Sequence, residues 1–287
     1  MNTDHDHAKH ADEALISSAV HCIAQKSNGV PLTSAAAITL NFHPDTTCGT
    51  LNLVSQLANE GIYRSQFETG SSNGSVSAHT GGSRWKWESA MFCGIYDSAH
   101  PAQRVKYGAL NYDKHSAGAA PRFGSAHLRL KYGVLDRATF AYPDSHFNPV
   151  DFGTRKKMNL IALAKTNAVG LDSLDNYIEA HVHGPLLMNT DVEAIVLDPS
   201  FKNTPVELAA HRLPFDVEWH DGFRLVADRY ADCLAYRDYQ TAEFLQPLFE
   251  KGDVNAACLT AYRDGSIDPQ IVKKAWHCIV RFGGALT

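Results

Sequence analysis

The sequence lacks the features of membrane-spanning, exported and disulfide-stabilised proteins. No stretch approaches the roughly 18 uninterrupted apolar residues of a transmembrane helix, and the first residues are polar instead of basic and then apolar. We therefore expect neither a transmembrane helix nor a cleaved signal peptide. The cysteines are scattered, without a Cys-X-X-Cys pair, which is typical of buried thiols in a reducing compartment and predicts that no disulfide forms. They are Cys22, Cys48, Cys93, Cys233, Cys258 and Cys278.

Positive charge is too sparse and too dispersed for a protein that binds nucleic acid. The chain has 26 basic and 31 acidic residues, a net charge of −5, and no dense stripe of Lys or Arg that could neutralise a run of phosphates. Hydrophobic residues make up 44% and charged residues 20%, as in folded soluble domains. We therefore expect a soluble α+β enzyme, of one large or two small domains.

Local patterns indicate three regions: a polar tail and helix over 1–35, a mixed core over 36–210 and a helical C-terminal subdomain over 211–287. Residues 1–12 are interpreted as a frayed terminus ahead of an amphipathic helix over 13–26. The predicted strands cover 37–42, 62–67, 107–112, 123–132, 138–142, 176–183 and 191–197. The predicted helices cover 50–60, a segment beginning near 85, and 158–167, 222–239, 241–251, 254–262 and 269–280.

Standard catalytic signatures are missing: the sequence contains no GxGxxG after a strand, no GxxxxGK[ST], no GxSxG and no HExxH. A first candidate group is Arg64 on the predicted strand 62–67, which enters a loop of Gly, Ser, Thr and Asn at 68–83. An inward-pointing Arg needs an anionic partner, either a structural carboxylate or a ligand phosphate. The loop offers backbone N–H groups to a polar ligand. A second candidate is Ser125, which either bonds to its own backbone or contacts a ligand.

A third group lies on the predicted strand 176–183. Strict alternation puts Tyr177, Glu179, His181 and His183 on one face, and pairing with 191–197 as a hairpin would crowd polar groups from both strands together. The spacing fits a metal site, a solvated polar face, or a catalytic carboxylate with hydrogen-bonding neighbours. All three interpretations stay open at this point.

The order of Arg64, Ser125 and a glutamate at 179 or 193 resembles the Arg–Ser–Glu order of ADP-ribosyltransferases. Whole segments over about 36–225 resemble a bacterial family, formerly of unknown function, that includes the CteC-type effectors, which ADP-ribosylate a threonine of ubiquitin. These segments are ITLNFHPD (38–45), YRSQFETGSSNG (63–74), 106–111, AAPRFGSAHLRL (119–130), 177–184 and DVEAIVLDPSF (191–201). Two positions differ from the family pattern, with Thr46 in place of Arg and His181 in place of Gln.

The resemblance implies an ADP-ribosyltransferase-like mixed β core with helical N-terminal and C-terminal flanks. It also implies transfer of ADP-ribose from NAD, as co-substrate, to a protein hydroxyl, namely a threonine of host ubiquitin, which would block ubiquitin signalling. The protein would then be a monomeric bacterial effector, delivered by a secretion system without a cleaved signal peptide and acting in the host cytosol.

The resemblance implies a catalytic role for Glu179 or Glu193, and Glu179 is favoured because its face also carries Tyr177 and His183. His183 would assist removal of the acceptor proton, or would only hydrogen-bond within the hairpin. The implied NAD-binding residues are Arg64, Ser65, Gly70, Asn73 and Ser125.

Two alternatives come from other classes of protein. A metal-dependent hydrolase would use a set of five ligands: His43, Asp45, Glu179, His181 and His183. A non-catalytic binding module would use the 68–83 loop with Trp85 and Trp87 as a protein-docking surface.

Overall fold

Helices and strands are mixed along the whole described chain, which confirms the predicted α+β class. The computed structural model describes residues 3–33, 35–48, 50–70, 77–167 and 169–284, with the side chains of 3–11 and 48 excepted. The helices are α1 (Thr3–Lys26), α2 (Leu53–Glu60), α3 (Gln66–Thr69), α4 (Ser83–Met91), α5 (Leu160–Thr166), α6 (Met188–Asp191), α7 (Pro205–Ala210), α8 (Tyr230–Tyr236), α9 (Tyr239–Phe249) and α10 (Pro269–Gly283). The strands are β1 (Ala37–Phe42), β2 (Thr47–Cys48), β3 (Leu51–Asn52), β4 (Lys106–Asn111), β5 (Ala126–Leu130), β6 (Ala138–Tyr142), β7 (Asp151–Thr154), β8 (Glu179–Val182), β9 (Val192–Leu197) and β10 (Asp216–Trp219).

The chain divides into two units, each built from separate stretches of sequence. The first unit comprises Met1–Leu40, Ile62–Asp113 and Leu130–Asp191, and the second comprises Asn41–Gly61, Lys114–Arg129 and Val192–Thr287. The predicted boundaries at 36 and 211 follow the order of the sequence and do not coincide with these limits.

In the first unit, antiparallel strands lie in the order β1, β4, β8, β6, β7. Strand β8 therefore has a hydrogen-bonded neighbour on both sides: His181 lies opposite Tyr107 of β4 and Thr139 of β6. The predicted hairpin between 176–183 and 191–197 is wrong, because β9 pairs in parallel with β10 in the second unit. Hydrophobic alternation indicates a strand but does not determine its partner.

The second unit contains strands β10, β9 and β5, with β5 belonging to it up to Arg129, and the antiparallel pair of β2 and β3. Its C-terminal part is mainly helical, as predicted, and α8, α9 and α10 pack against one another. Strand β10 was not predicted, because a four-residue strand is too short to give a clear alternating pattern.

Two further secondary-structure predictions need correction. Helix α1 begins at Thr3, so the polar segment 1–12 is not simply a frayed end ahead of the helix. The predicted strand 62–67 forms only a single bridge at Ile62, and helix α3 starts after Ser65. The reason is a capping box: Ser65 accepts a hydrogen bond from the Glu68 amide, and the Glu68 carboxylate accepts one from the Ser65 amide.

A disulfide joins Cys22 of α1 to Cys93, beyond the end of α4, so the prediction of no disulfide is wrong. These cysteines are 71 residues apart in sequence, and only the packing of α1 beside the end of α4 brings them together. Spacing rules detect local pairs and therefore miss such a contact. The described free cysteines are Cys233, Cys258 and Cys278.

Within the described residues, no helix combines the length and the apolar character needed to cross a membrane.

Candidate active site

The polar face of β8 forms a continuous hydrogen-bonded chain in the first unit. The Nε2 atom of His181 lies 2.9 Å from Oε1 of Glu179. The Thr139 hydroxyl, on the neighbouring strand β6, bonds to Nδ1 of His181 at 3.2 Å and to Nε2 of His183 at 2.9 Å. The prediction that Glu179, His181 and His183 share one face is therefore confirmed. All three side chains are buried.

A serine holds the second oxygen of the Glu179 carboxylate. The Ser145 hydroxyl donates to Oε2 of Glu179 at 3.0 Å and accepts from Nη1 of Arg84 at 3.2 Å. Ser145 lies in a 3-10 turn after β6, which Asp144 caps, and the Tyr177 hydroxyl donates to the Asp144 carboxylate. The carboxylate of Glu179 is thus fixed at both oxygens, and the half-buried Ser145 and Arg84 form the more exposed end of the chain.

At the other end, the Tyr96 hydroxyl bonds to Nδ1 of His183 at 2.6 Å. Burial, followed by repulsion from His181 and Arg137, lowers the pKa of His183 well below its ordinary value. His183 is therefore a neutral imidazole at physiological pH. With Thr139 on one nitrogen and Tyr96 on the other, it donates one hydrogen bond and accepts one.

A second buried carboxylate, Glu88 of α4, lies in the same unit. Arg104 donates to it at 2.6 Å and the Tyr107 hydroxyl donates to it at 2.7 Å. Burial raises the pKa of Glu88 despite these hydrogen bonds, which favour the charged form. Burial and the nearby Glu88 charge raise the pKa of Tyr107 well above its usual value, so this phenol stays protonated as a donor.

Aromatic rings surround His181 and contact the Arg84 cation. The Arg84 guanidinium lies 4.2 Å from the centre of the Tyr107 ring and 5.8 Å from that of Trp87, which is cation–π geometry. The Trp87 and Tyr107 rings lie 5.7 and 5.6 Å from the His181 ring. Glu179 is therefore close to a cation and to two half-buried aromatic rings, an arrangement suited to a ligand with a flat ring and charged groups.

The chain matches a protein family described as "Protein of unknown function (DUF3626)" over residues 37–166 and 162–262. The chain belongs to the DUF3626 family. The matched ranges include Arg84, Glu88 and Ser145 as well as Glu179 and His183. No curated protein matches the chain significantly.

Within the DUF3626 match, the residues around the predicted strand 62–67 have local structural roles. Arg64 is not on a strand; its side chain is 44% exposed and pairs with Glu68 at 3.4 Å. Ser65 caps α3 and donates to the carbonyl oxygen of Pro101 at 2.6 Å. Gly70 ends α3 with a φ of 63°, which glycine adopts without strain. Asn73 lies outside the described residues. The NAD-binding roles of these residues stay predictions.

Two other candidate residues of the DUF3626 match belong to the second unit. Glu193 of β9 is exposed and pairs with Arg129 at 3.4 Å, and Arg129 also makes a bidentate pair with Glu218. Ser125 is buried, and its hydroxyl has no hydrogen-bond partner among the described residues. Glu179, not Glu193, is the glutamate embedded in a polar network.

The ligands of the predicted metal site are not assembled. His43 and Asp45 belong to the second unit, where Arg263 donates to Nδ1 of His43 at 2.9 Å and to Oδ2 of Asp45 at 3.0 Å. A guanidinium thus occupies the position between them. In the parts of the chain that the structure describes, no three His, Cys, Asp or Glu side chains are grouped as metal ligands.

Several site residues were missed in the sequence. Arg84 and Glu88 are four residues apart on α4, and a Glu beside Trp87, Met91 and Phe92 is a recognisable sign of a buried carboxylate. No comparable signal exists for Thr139 and Ser145, because their contacts depend on which strand lies beside β8.

Proposed function

We propose that this protein is a mono-ADP-ribosyltransferase that transfers ADP-ribose from NAD to a protein hydroxyl. The main support is Glu179, a buried carboxylate held at one oxygen by Ser145 and at the other by His181. Such a carboxylate is oriented before any ligand arrives, so that little reorganisation accompanies the reaction.

The reaction requires stabilisation of positive charge. The bond between nicotinamide and ribose breaks, nicotinamide leaves with the bonding electron pair, and the ribose carbon becomes oxocarbenium-like. In this proposal, the Glu179 carboxylate faces that carbon and stabilises the charge. The acceptor oxygen then forms the new bond to the same carbon.

The acceptor hydroxyl must lose its proton as the new bond forms. Glu179 takes this proton in the proposed mechanism. His183 has no exposed surface, so its contribution passes through Thr139 and His181. His183 is thus a positioning residue that fixes the His181 ring, rather than the direct base.

We assign NAD binding to the more exposed end of the hydrogen-bonded chain, where Ser145 and Arg84 lie. The Arg84 guanidinium would contact the pyrophosphate, since a planar cation with several N–H donors suits phosphate oxygens. Trp87 and Tyr107 offer flat surfaces to the rings of the dinucleotide.

The resemblance to CteC-type effectors supports a threonine of host ubiquitin as the acceptor and delivery into a host cell. The test is the intact mass of ubiquitin after incubation with the protein and NAD, with a gain of one ADP-ribose unit expected. Ubiquitin variants with each threonine replaced by valine would locate the modified residue. If NAD were neither bound nor consumed, as expected of a non-catalytic binding module, the proposal would fail.

A further inference from the structure

Four basic side chains converge in the second unit, apart from the residues assigned to ADP-ribose transfer. Lys273 and His277 lie one turn apart on the same face of α10. Arg237 follows α8, and Arg122 lies in a 3-10 turn over Pro121–Phe123. The Trp276 indole N–H donates to the Pro121 carbonyl oxygen at 2.9 Å, which fixes this turn against α10.

The protonation of His277 follows from its contact with Arg237. The Nη2 atom of Arg237 lies 2.7 Å from Nδ1 of His277, and a guanidinium can only donate, so Nδ1 accepts. Burial, and then Arg237, Arg122 and Lys273, lower the pKa of His277 to about 3. The ring is therefore neutral and carries its proton on Nε2.

This Nε2–H group is a poorly satisfied buried donor. His277 is 4% exposed, and among the described residues its Nε2 has no acceptor with full hydrogen-bond geometry. A contact with the Arg122 backbone is the smallest of the effects on the His277 pKa, which it raises. The Nε–H of Arg237 is likewise buried without an acceptor in the described chain. A buried donor without an acceptor lowers the stability of the folded protein, so such groups usually have a partner when the protein functions.

The cluster also has an excess of positive charge. Burial, and then repulsion from Arg122 and Arg237, lowers the pKa of Lys273. The nearby Asp238 is already paired with Lys274 at 2.6 Å and bonded to Thr241. In the described part of the chain, no carboxylate forms an ion pair with Arg237 or Lys273.

We propose that Arg237, Lys273, His277 and Arg122 form a binding site for a phosphate group. The buried groups that lack a full partner at this position are donors. Arg122, Arg237 and Lys273 are half-buried and thus reachable from solvent. A tetrahedral oxyanion offers acceptor oxygens in several directions and offsets the charge. The phosphate is either free inorganic phosphate or part of a phosphorylated ligand. This site does not depend on the proposed transferase activity.

The test follows the His277 ring by NMR in the full-length protein. Orthophosphate, adenosine monophosphate and adenosine are titrated separately at constant ionic strength, and the His277 Nε2 resonance is assigned by its loss in His277→Gln. A saturable shift is expected with orthophosphate and with adenosine monophosphate, and none with adenosine. Tighter binding of the nucleotide than of orthophosphate would indicate a phosphorylated ligand, whereas equal or weaker binding would indicate the free anion.

Matched variants connect the shift to the cluster. Lys273→Gln and Arg237→Gln should each weaken phosphate binding by about tenfold or more. Lys251→Gln, which makes the same change at an exposed lysine of this unit, should not. The proposal fails if phosphate leaves the wild-type His277 resonance unchanged, if chloride at equal ionic strength reproduces the shift, or if a folded Lys273→Gln protein binds phosphate like the wild type.

Discussion

Glu179 and His181 lie on one face of β8 and are joined by a 2.9 Å hydrogen bond between Oε1 and Nε2. This bond links the buried carboxylate to which we assign ADP-ribose transfer with the His181 ring, two positions further along the strand. The first prediction concerns the carboxylate of this pair.

Replacing Glu179 by Gln should lower NAD turnover by about a hundredfold or more, because the amide keeps the shape but removes the charge opposite the oxocarbenium. NAD binding should be retained. The matched control is Glu193→Gln, which should keep measurable activity since Glu193 is exposed and pairs with Arg129. Steady-state nicotinamide release and NAD titration would measure both. Loss of turnover in the second variant with retention in the first would assign the catalytic role to Glu193.

Arg84→Gln should raise the KM for NAD by about tenfold, because a charge-assisted contact to phosphate would be lost. Arg64→Gln is the comparison, since Arg64 is the cation that the sequence predicts for the pyrophosphate. A larger loss of NAD affinity in the Arg64 variant would move the pyrophosphate contact to residues 64–70. Unchanged affinity in both folded variants would remove both arginines from the NAD site.

Arg104→Met should destabilise the protein by about 3–5 kcal/mol, because it leaves the buried Glu88 carboxylate without its cation. Arg224→Met, which breaks the exposed pair with Asp253, should cost no more than about 1 kcal/mol. Urea denaturation of the two variants provides the measurement. Equal losses of unfolding free energy in the two variants would mean that Glu88 and Arg104 do not form a buried charge pair in solution.

Lys106 should make stability depend on pH in the alkaline range. Burial lowers its pKa from 10.5 to about 8, while its ammonium group donates to the carbonyl oxygens of Ala102 and Gly184. Between these two values the unfolded chain binds more protons than the folded one, so this contribution to stability grows as pH rises and is lost as pH falls through 8. The free energy of unfolding of the wild type, minus that of Lys106→Met, should increase over this range by at most about 1.4 kcal/mol per pH unit. A difference in unfolding free energy that does not change with pH would contradict the lowered pKa of Lys106.

Reduction of the Cys22–Cys93 disulfide should lower the free energy of unfolding by about 4 kcal/mol, because the bond closes a loop of 71 residues. The double variant Cys22→Ser/Cys93→Ser should show the same loss without reductant. Cys258→Ser is the control, since Cys258 is a free thiol. Alkylation of the unfolded protein, followed by mass spectrometry, should label two more cysteines after reduction than before. Equal labelling would exclude the disulfide.

The sequence predicts which side chains share a face of β8, but it does not predict which residues of other strands surround them. Alternation at Glu179, His181 and His183 specifies which side chains point the same way, whatever strand lies beside them. The contacts of Thr139 and Ser145 depend on β6 being the neighbour of β8, and pairing between strands distant in sequence leaves no local trace. The same limit explains the wrong hairpin.

Competition between local patterns explains the error at Arg64. Residues 62–67 alternate as a strand does, yet Ser65 and Glu68 form a capping box that starts a helix. Two reciprocal hydrogen bonds at a helix start outweigh the weak preference of a six-residue alternation. The Ser-X-X-Glu motif at 65–68 marks the helix start, and Arg64 lies just ahead of the helix cap, where it is exposed.

The position of β8 between β4 and β6 has a consequence for how the site moves. Amide protons bonded on both sides of a strand exchange with deuterium only when the neighbouring strands separate, so Ala180 and His181 should be among the last amides to exchange in the first unit. Any adjustment to a ligand must then come from α4 and the Ser145 turn, while the strand that carries Glu179 stays in place.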